Sequence, residues 1–172
     1  GLTFITKPYT DFWQKTFYGF KKDNGHCLLT TFDKDFTLLV KLEFNYRVLY
    51  DQCGIMIRID RDNWIKTSIE YENKQISRLG SVVTNLGYSD WAMTDVSSSI
   101  FSMWYKISKQ GKDFIIENSS NGEKWAQMRI THLLSDFEKI EAGIYACSPK
   151  KSSFECRVKK IIMEKHGSII EK

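Results

Sequence analysis

The sequence predicts an all-β fold, a sandwich of two curved antiparallel sheets of jelly-roll type. Segments rich in β-branched and aromatic residues alternate apolar and polar positions along almost the whole chain. Turn signals at residues 60–63, at Gln110-Gly111-Lys112 and at Asn121-Gly122 separate them about every ten residues. Helical periodicity is nearly absent: only "HLLSDF", His132 to Phe137, suggests a short helical turn. Many evenly spaced strands without helices imply a sandwich or jelly roll.

In chain order the strand candidates are "HCLLTTF", "DFTLLVKLEFNYRV", "QCGIMIRID", "NWIKTSIEYE", "QISRLGSVVT", "IFSMWYKISKQG", "KDFIIENSS", "KWAQMRI", "IEAGIYAC" and "SFECRVKKIIMEK". Asn121-Gly122 suits a tight hairpin with positive φ at both central residues. In "NWIKTSIEYE", Ile65, Thr67, Ile69 and Tyr71 form the core row, while Trp64, Lys66, Ser68, Glu70 and Glu72 point to the other face. The device repeats. Cys53, Ile55, Ile57 and Ile59 oppose Gln52, Gly54, Met56 and Arg58, and Met103, Tyr105 and Ile107 oppose Trp104 and Lys106.

The length of 172 residues fits one domain, expected over residues 1–164 with a tail at 165–172. A hydrophobic content of 42% and an aromatic content of 14% exclude a disordered chain. The charge of +4, from 25 basic and 21 acidic residues, is spread over short clusters such as Lys21-Lys22, Lys150-Lys151 and Lys159-Lys160. Without a concentrated basic stripe no nucleic-acid partner is expected. "GLTFITKPYTDFW" is not built like a signal peptide, and no run approaches the ~20 apolar residues of a membrane span, so no membrane partner and a cytoplasmic location are expected. Cys27, Cys53, Cys147 and Cys156 form no CxxC pair. Cys53 and Cys156 alternate with apolar positions as core thiols do, and Cys147, beside Ser148-Pro149, is the alternative reactive thiol.

Catalytic and metal patterns are mostly missing. There is no E-x-D on any strand; Glu70 and Glu72, i and i+2, would stand about 7 Å apart, beyond the ~5.5 Å of a retaining glycosidase pair and near the inverting range, but both lie at the end of one strand, where Glu72 leads into the turn Asn73-Lys74. His26, His132 and His166 are isolated, with no zinc spacing. Asp60, Asp62 and Asn63 resemble the opening of a calcium loop, but Ile65 and Tyr71 stand where its glycine and glutamate belong. No phosphate loop, dinucleotide fingerprint or nucleophile elbow occurs. No metal or cofactor is expected. Asn118-Ser119-Ser120 is a formal glycosylation sequon.

A tryptophan on a polar face offers flat apolar surface beside hydrogen-bonding groups, which suits a sugar ring. The candidate ligand-binding residues are therefore Trp64, with Trp91 and Trp104, for stacking, and Gln52, Arg58, Lys66 and Glu70 for hydrogen bonds and charge. Asp23, Asn24, His26 and Asp90 would come from loops at the rim. Lys66 and Glu70 are about 13 Å apart along one strand, too far to pair with each other. Each must find a partner on a neighbouring strand or in a ligand.

Five motifs, "DFWQKTFYGFKKDNGH", "LYDQCGIMIRIDRDNWIKTSIEYE", "SVVTNLGYSDW", "SSNGEKW" and "CSP", occur in this order, within a similarity that covers the chain from about Phe12 to about Met163. Together they resemble the concanavalin A-like family of unknown function labelled regulation-of-enolase protein. The resemblance implies a concanavalin A-like jelly roll. It also implies a distant likeness to the C-terminal sandwich domain of some β-xylosidases, through Asp51, Gln52, Gly54 and Asn63, Trp64, Lys66, Glu70. Cys53 departs from the small residue usual at its position. The expected function is non-catalytic binding of a carbohydrate or sugar-like ligand on the concave sheet face. The alternatives are a glycan-active hydrolase or lyase using Glu70 or His26, and a protein-interaction module with a regulatory role in carbon metabolism.

Overall fold

The computed structural model describes residues 1–165. His166 and the expected tail lie outside them, apart from Lys165, which still pairs with Phe36. The strands are β1 (Leu2–Ile5), β2 (Phe12–Gln14), β3 (Lys21–Asp23), β4 (His26–Phe32), β5 (Phe36–Phe44), β6 (Gln52–Asp60), β7 (Asn63–Tyr71), β8 (Ile76–Asn85), β9 (Tyr88–Ser97), β10 (Ser102–Gln110), β11 (Asp113–Ser119), β12 (Ala126–His132), β13 (Ile140–Cys147) and β14 (Glu155–Lys165). Two six-stranded antiparallel sheets run in the orders β1-β14-β5-β10-β11-β12 and β4-β13-β6-β7-β8-β9. This is the predicted concanavalin A-like jelly-roll β-sandwich. Strands β2 and β3 form a separate ribbon. Among the described residues no helix is long and apolar enough to cross a membrane.

Period-two alternation builds the core. Phe36, Leu38, Val40, Leu42 and Phe44 of β5 face Cys53, Ile55 and Ile57 of β6 and Ile65 and Ile69 of β7, with Met103, Tyr105 and Ile107 of β10 between them. Each such side chain contributes about 1.5–3 kcal/mol on burial. The Tyr105 hydroxyl accepts the Ile69 N–H at 2.8 Å, tying the two sheets together through the core. Cys53 and Cys156 are buried free thiols in this cluster; Cys147 is buried and free beneath the other face, and Cys27 is exposed.

Four local expectations change. The turn with two positive φ values lies at Leu86-Gly87 (53° and 80°), joining β8 to β9, rather than at Asn121-Gly122. Between β11 and β12 only Gly122 has positive φ, because the Asn121 side chain organises a longer loop by accepting the Glu123 and Lys124 N–H groups. "HLLSDF" is not helical: His132 ends β12, and Leu133 and Phe137 anchor an irregular segment to the core. Strand β9 escaped the pattern because it is an edge strand, mostly exposed, with no apolar row to betray it.

The fourth change matters most. The outer face of the second sheet is covered rather than solvated. Trp64 is fully buried, and Lys66 is only 4% exposed. Trp64 lies in a second apolar cluster with Phe12, Trp13, Met56, Val82, Tyr145 and Cys147, formed where the β2–β3 hairpin lies down on this face, and Lys66 stands beside its Trp64 and Tyr145 rings.

Candidate functional site

Strand register dictates which side chains share the covered face. Rows across β13, β6, β7, β8 and β9 read Cys147–Gln52–Glu70–Arg78–Asp95, Tyr145–Gly54–Ser68–Gly80–Met93, Gly143–Met56–Lys66–Val82–Trp91 and Glu141–Arg58–Trp64–Thr84–Ser89. The hairpin seals the last row and the Met56 end of the third. Phe12 packs edge-on against Trp64 and Tyr145, each with ring centroids 6.1 Å apart. Gln14 N–H donates to Ser89 Oγ at 2.9 Å. Arg58 grips Asp23 with two hydrogen bonds of 2.6 and 2.8 Å, a fork-to-carboxylate clamp that fixes β3 to β6.

The first row, with Lys66, Val82 and Trp91 of the third, borders a cavity of about 580 Å³, within the ~300–1,000 Å³ common for small-molecule sites. Gln52, Lys66, Glu70 and Arg78 form its floor, and Tyr9, Tyr18, Phe20, Tyr50 and Trp91 supply aromatic walls. Asp11, Lys22, Glu72 and Lys150 add charge around it. A narrow extension runs down to Ser68, Gly80 and Ser81. Tyr9 and Tyr50 hold φ of 61° and 73°, a left-handed conformation unusual for a bulky residue. Strain of this kind concentrates at ligand clamps.

The floor is an ordered hydrogen-bond chain. Tyr145 donates its hydroxyl to Gln52 Oε1 at 3.0 Å, and Gln52 Nε2 donates to Glu70 Oε2 at 3.1 Å and to the Tyr50 carbonyl at 3.0 Å. Lys66 Nζ donates to the Phe12 carbonyl at 2.7 Å, lies 3.5 Å from Asp11, and sits 5.7 and 5.8 Å from the Trp64 and Tyr145 ring centres. Burial pushes the Glu70 carboxyl up to about 8, with Lys66 pulling the other way and Asp11 and Glu72 adding to the rise. Burial at the cavity floor thus favours the protonated form of Glu70 over its carboxylate. Arg78 holds Asp95 at 2.6 Å and Glu72 at 3.9 Å.

Of the residues singled out from sequence, Gln52, Lys66, Glu70 and Trp91 meet at this cavity. The other candidate ligand-binding residues do not line it, while Glu72 stands at its edge. Trp64 is sealed under the hairpin, its Nε1 donating to the Arg61 carbonyl, so it cannot stack on a ligand. Trp104 belongs to β10 of the opposite sheet, near Lys41 and Lys160. Asp51 is buried, accepting the Arg47 and Val48 N–H groups and the Ser152 hydroxyl. Asp23 and Arg58 are engaged with each other. Asn24 braces the hairpin through Asp11 N–H and the Tyr9 carbonyl. His26 Nε2 accepts the Lys7 N–H at 2.9 Å, which places any ring proton of the neutral form on Nδ1; burial and the charge of Lys7 lower its pKa. Asp90 lies on exposed β9 and pairs with Arg129 at 3.0 Å. Asp60 caps its own turn, accepting from Asp62 N–H and the Asn63 amide.

Sequence reasoning missed Arg78 and the tyrosines of the wall. The aromatic run "FYGF" was the available signal for Tyr18 and Phe20. Nothing in the sequence paired Arg78 with Glu70, since that requires the β7–β8 register.

The curated "Regulation of enolase protein 1" of Saccharomyces cerevisiae is 34% identical over 154 residues, spanning 90% of this chain and 76% of that protein. The crystal structure of a functionally unknown protein from Saccharomyces cerevisiae superposes with a TM-score of 0.89 at 31% identity, covering 96% of this chain and 88% of that one. The GH43 BlXynB protein from Bacillus licheniformis shares the fold at a TM-score of 0.66 and 14% identity, over 85% of this chain and 29% of its own. The model of the family described as "Protein of unknown function (DUF1349)" matches residues 1–166, and the chain belongs to this family.

Proposed function

We propose that the protein is a non-catalytic binder of a carbohydrate or sugar-like ligand, held in the cavity between the β2–β3 hairpin and the outer face of the second sheet. The supporting observation is the composition of that cavity: aromatic walls from Tyr9, Tyr18, Tyr50 and Trp91 over a floor of Gln52, Glu70 and Arg78. Apolar ring faces of a sugar meet the walls, and its hydroxyls meet a floor offering both donors and acceptors. The raised pKa of Glu70 lowers the cost of covering its carboxyl with a ligand, because its protonated form carries no charge to desolvate.

The test is thermal denaturation against a panel of sugars, sugar phosphates and oligosaccharides. A ligand present at tenfold its Kd stabilises the native state by about 1.4 kcal/mol, which raises Tm by about 3–5 °C at this chain length. The shift should vanish in Tyr9→Ala and Arg78→Gln. No shift anywhere in the panel at millimolar concentrations defeats the reading.

A second reading, a hydrolase or lyase, draws on Glu70 alone, whose raised pKa suits a general acid. His26 does not line the cavity and plays no part in it. Turnover of any panel glycan that is abolished in Glu70→Gln would favour catalysis over binding.

A further inference from the structure

The cavity is not the only depression at the hairpin. A shallower groove of about 720 Å³ lies around the hairpin tip and β9. It shares Trp13, Tyr18 and Trp91 with the first cavity. Its own surface comes from Phe17, Tyr88, Asp90 and Arg129. Tyr88 is 61% exposed and Phe17 is 95% exposed. The groove also draws on β12 of the opposite sheet: the Arg129 guanidinium reaches Asp90 Oδ1 at 3.0 Å and the Asp90 carbonyl at 3.5 Å. Thr16 on its wall carries a buried Oγ1 with no hydrogen-bond partner among the described residues.

Resting on the carbohydrate reading of the cavity, we propose that the ligand is an extended oligosaccharide, with one unit in the cavity and the next units passing Trp91 into the groove beside Tyr88 and Arg129. Trp91 is common to both depressions, so consecutive sugar units can use one indole as a shared wall. The groove repeats the chemistry of the cavity, with aromatic surface at Tyr88 and Phe17 and polar groups at Asp90 and Arg129. A monosaccharide fills only the cavity. A chain adds contacts in the groove without the translational cost of a second independent binding event, so affinity should climb with chain length until the groove is filled.

The experiment is isothermal titration of the full chain with xylo-, cello-, manno- and mannuronate oligomers, each from one to six units. For the series that binds, the association constant is expected to rise about tenfold or more from the monosaccharide to a trimer or tetramer and then level off. Tyr88→Ala and Arg129→Gln, both remote from the cavity floor, should remove that rise and leave monosaccharide binding unchanged. Affinity independent of length, with the monosaccharide bound, overturns the extended site while leaving the cavity reading intact. A rise with length that both variants leave untouched also overturns it, since the added units then lie elsewhere. No binding at any length removes both readings together.

Discussion

Replacing Glu70 by Gln tests the electrostatics of the cavity floor. An acid whose pKa is raised on folding, from an ordinary 4.5 to about 8, binds its proton more tightly in the native state than in the unfolded one. Between those values the folded protein carries more protons, so stability falls as pH rises. The full shift corresponds to about 5 kcal/mol lost above pH 8, at about 1.36 kcal/mol per pH unit. Glu70 borders the cavity, where water reaches it, so a realistic loss is about 1–3 kcal/mol. Glutamine keeps the shape and can still accept the Gln52 Nε2–H, but has no proton to lose. Glu70→Gln should therefore match the wild type near pH 4.5 and exceed it by about 1–3 kcal/mol at pH 9. Urea denaturation of both proteins at pH 5, 7 and 9 measures the gap. A gap that does not widen with pH, or a wild type that gains relative to the variant as pH rises, refutes the buried neutral acid.

The remaining predictions concern how the hairpin is held. Trp64→Ala should cost about 3–5 kcal/mol, since it empties the centre of a buried cluster; limited proteolysis should then cut within residues 15–20, and uncut hairpin in a destabilised variant would contradict its seating on Trp64. Arg58→Ala should cost about 1–3 kcal/mol by leaving Asp23 without its clamp, read as a lower urea midpoint, and Asp23→Asn should weaken the same contact without adding to the loss in the double variant. Gly54→Ala should abolish soluble expression, because an added Cβ would stand 1.7 Å from the Thr67 carbonyl oxygen; a well-folded variant would mean that β6 and β7 can separate locally. Trp104→Ala, on the opposite sheet, should leave any sugar-induced Tm shift unchanged.

The sequence by itself determined the sandwich. Strict alternation in β5, β6, β7 and β10 left one way to bury Leu38, Ile55, Ile65 and Tyr105 together, and the turns at Arg61-Asp62 and Gly111-Lys112 are local chemistry. The motifs carried the family resemblance. What periodicity could not supply was the fate of the opposite face. Alternation separates two faces of a strand but does not say what lies on either, so Trp64 and Lys66 read as a solvent-facing row. Only the tertiary structure lays Phe12 and Trp13 over them, turning Trp64 from a stacking candidate into core and giving Lys66 the Phe12 carbonyl as its partner. The cavity has the same origin. Gln52, Glu70 and Arg78 are far apart in the chain and meet through strand register, while Tyr9, Tyr18 and Tyr50 arrive on segments with left-handed turns. A site assembled from long-range register and irregular backbone has no period to read, which is why the sequence showed part of its floor and little of its walls.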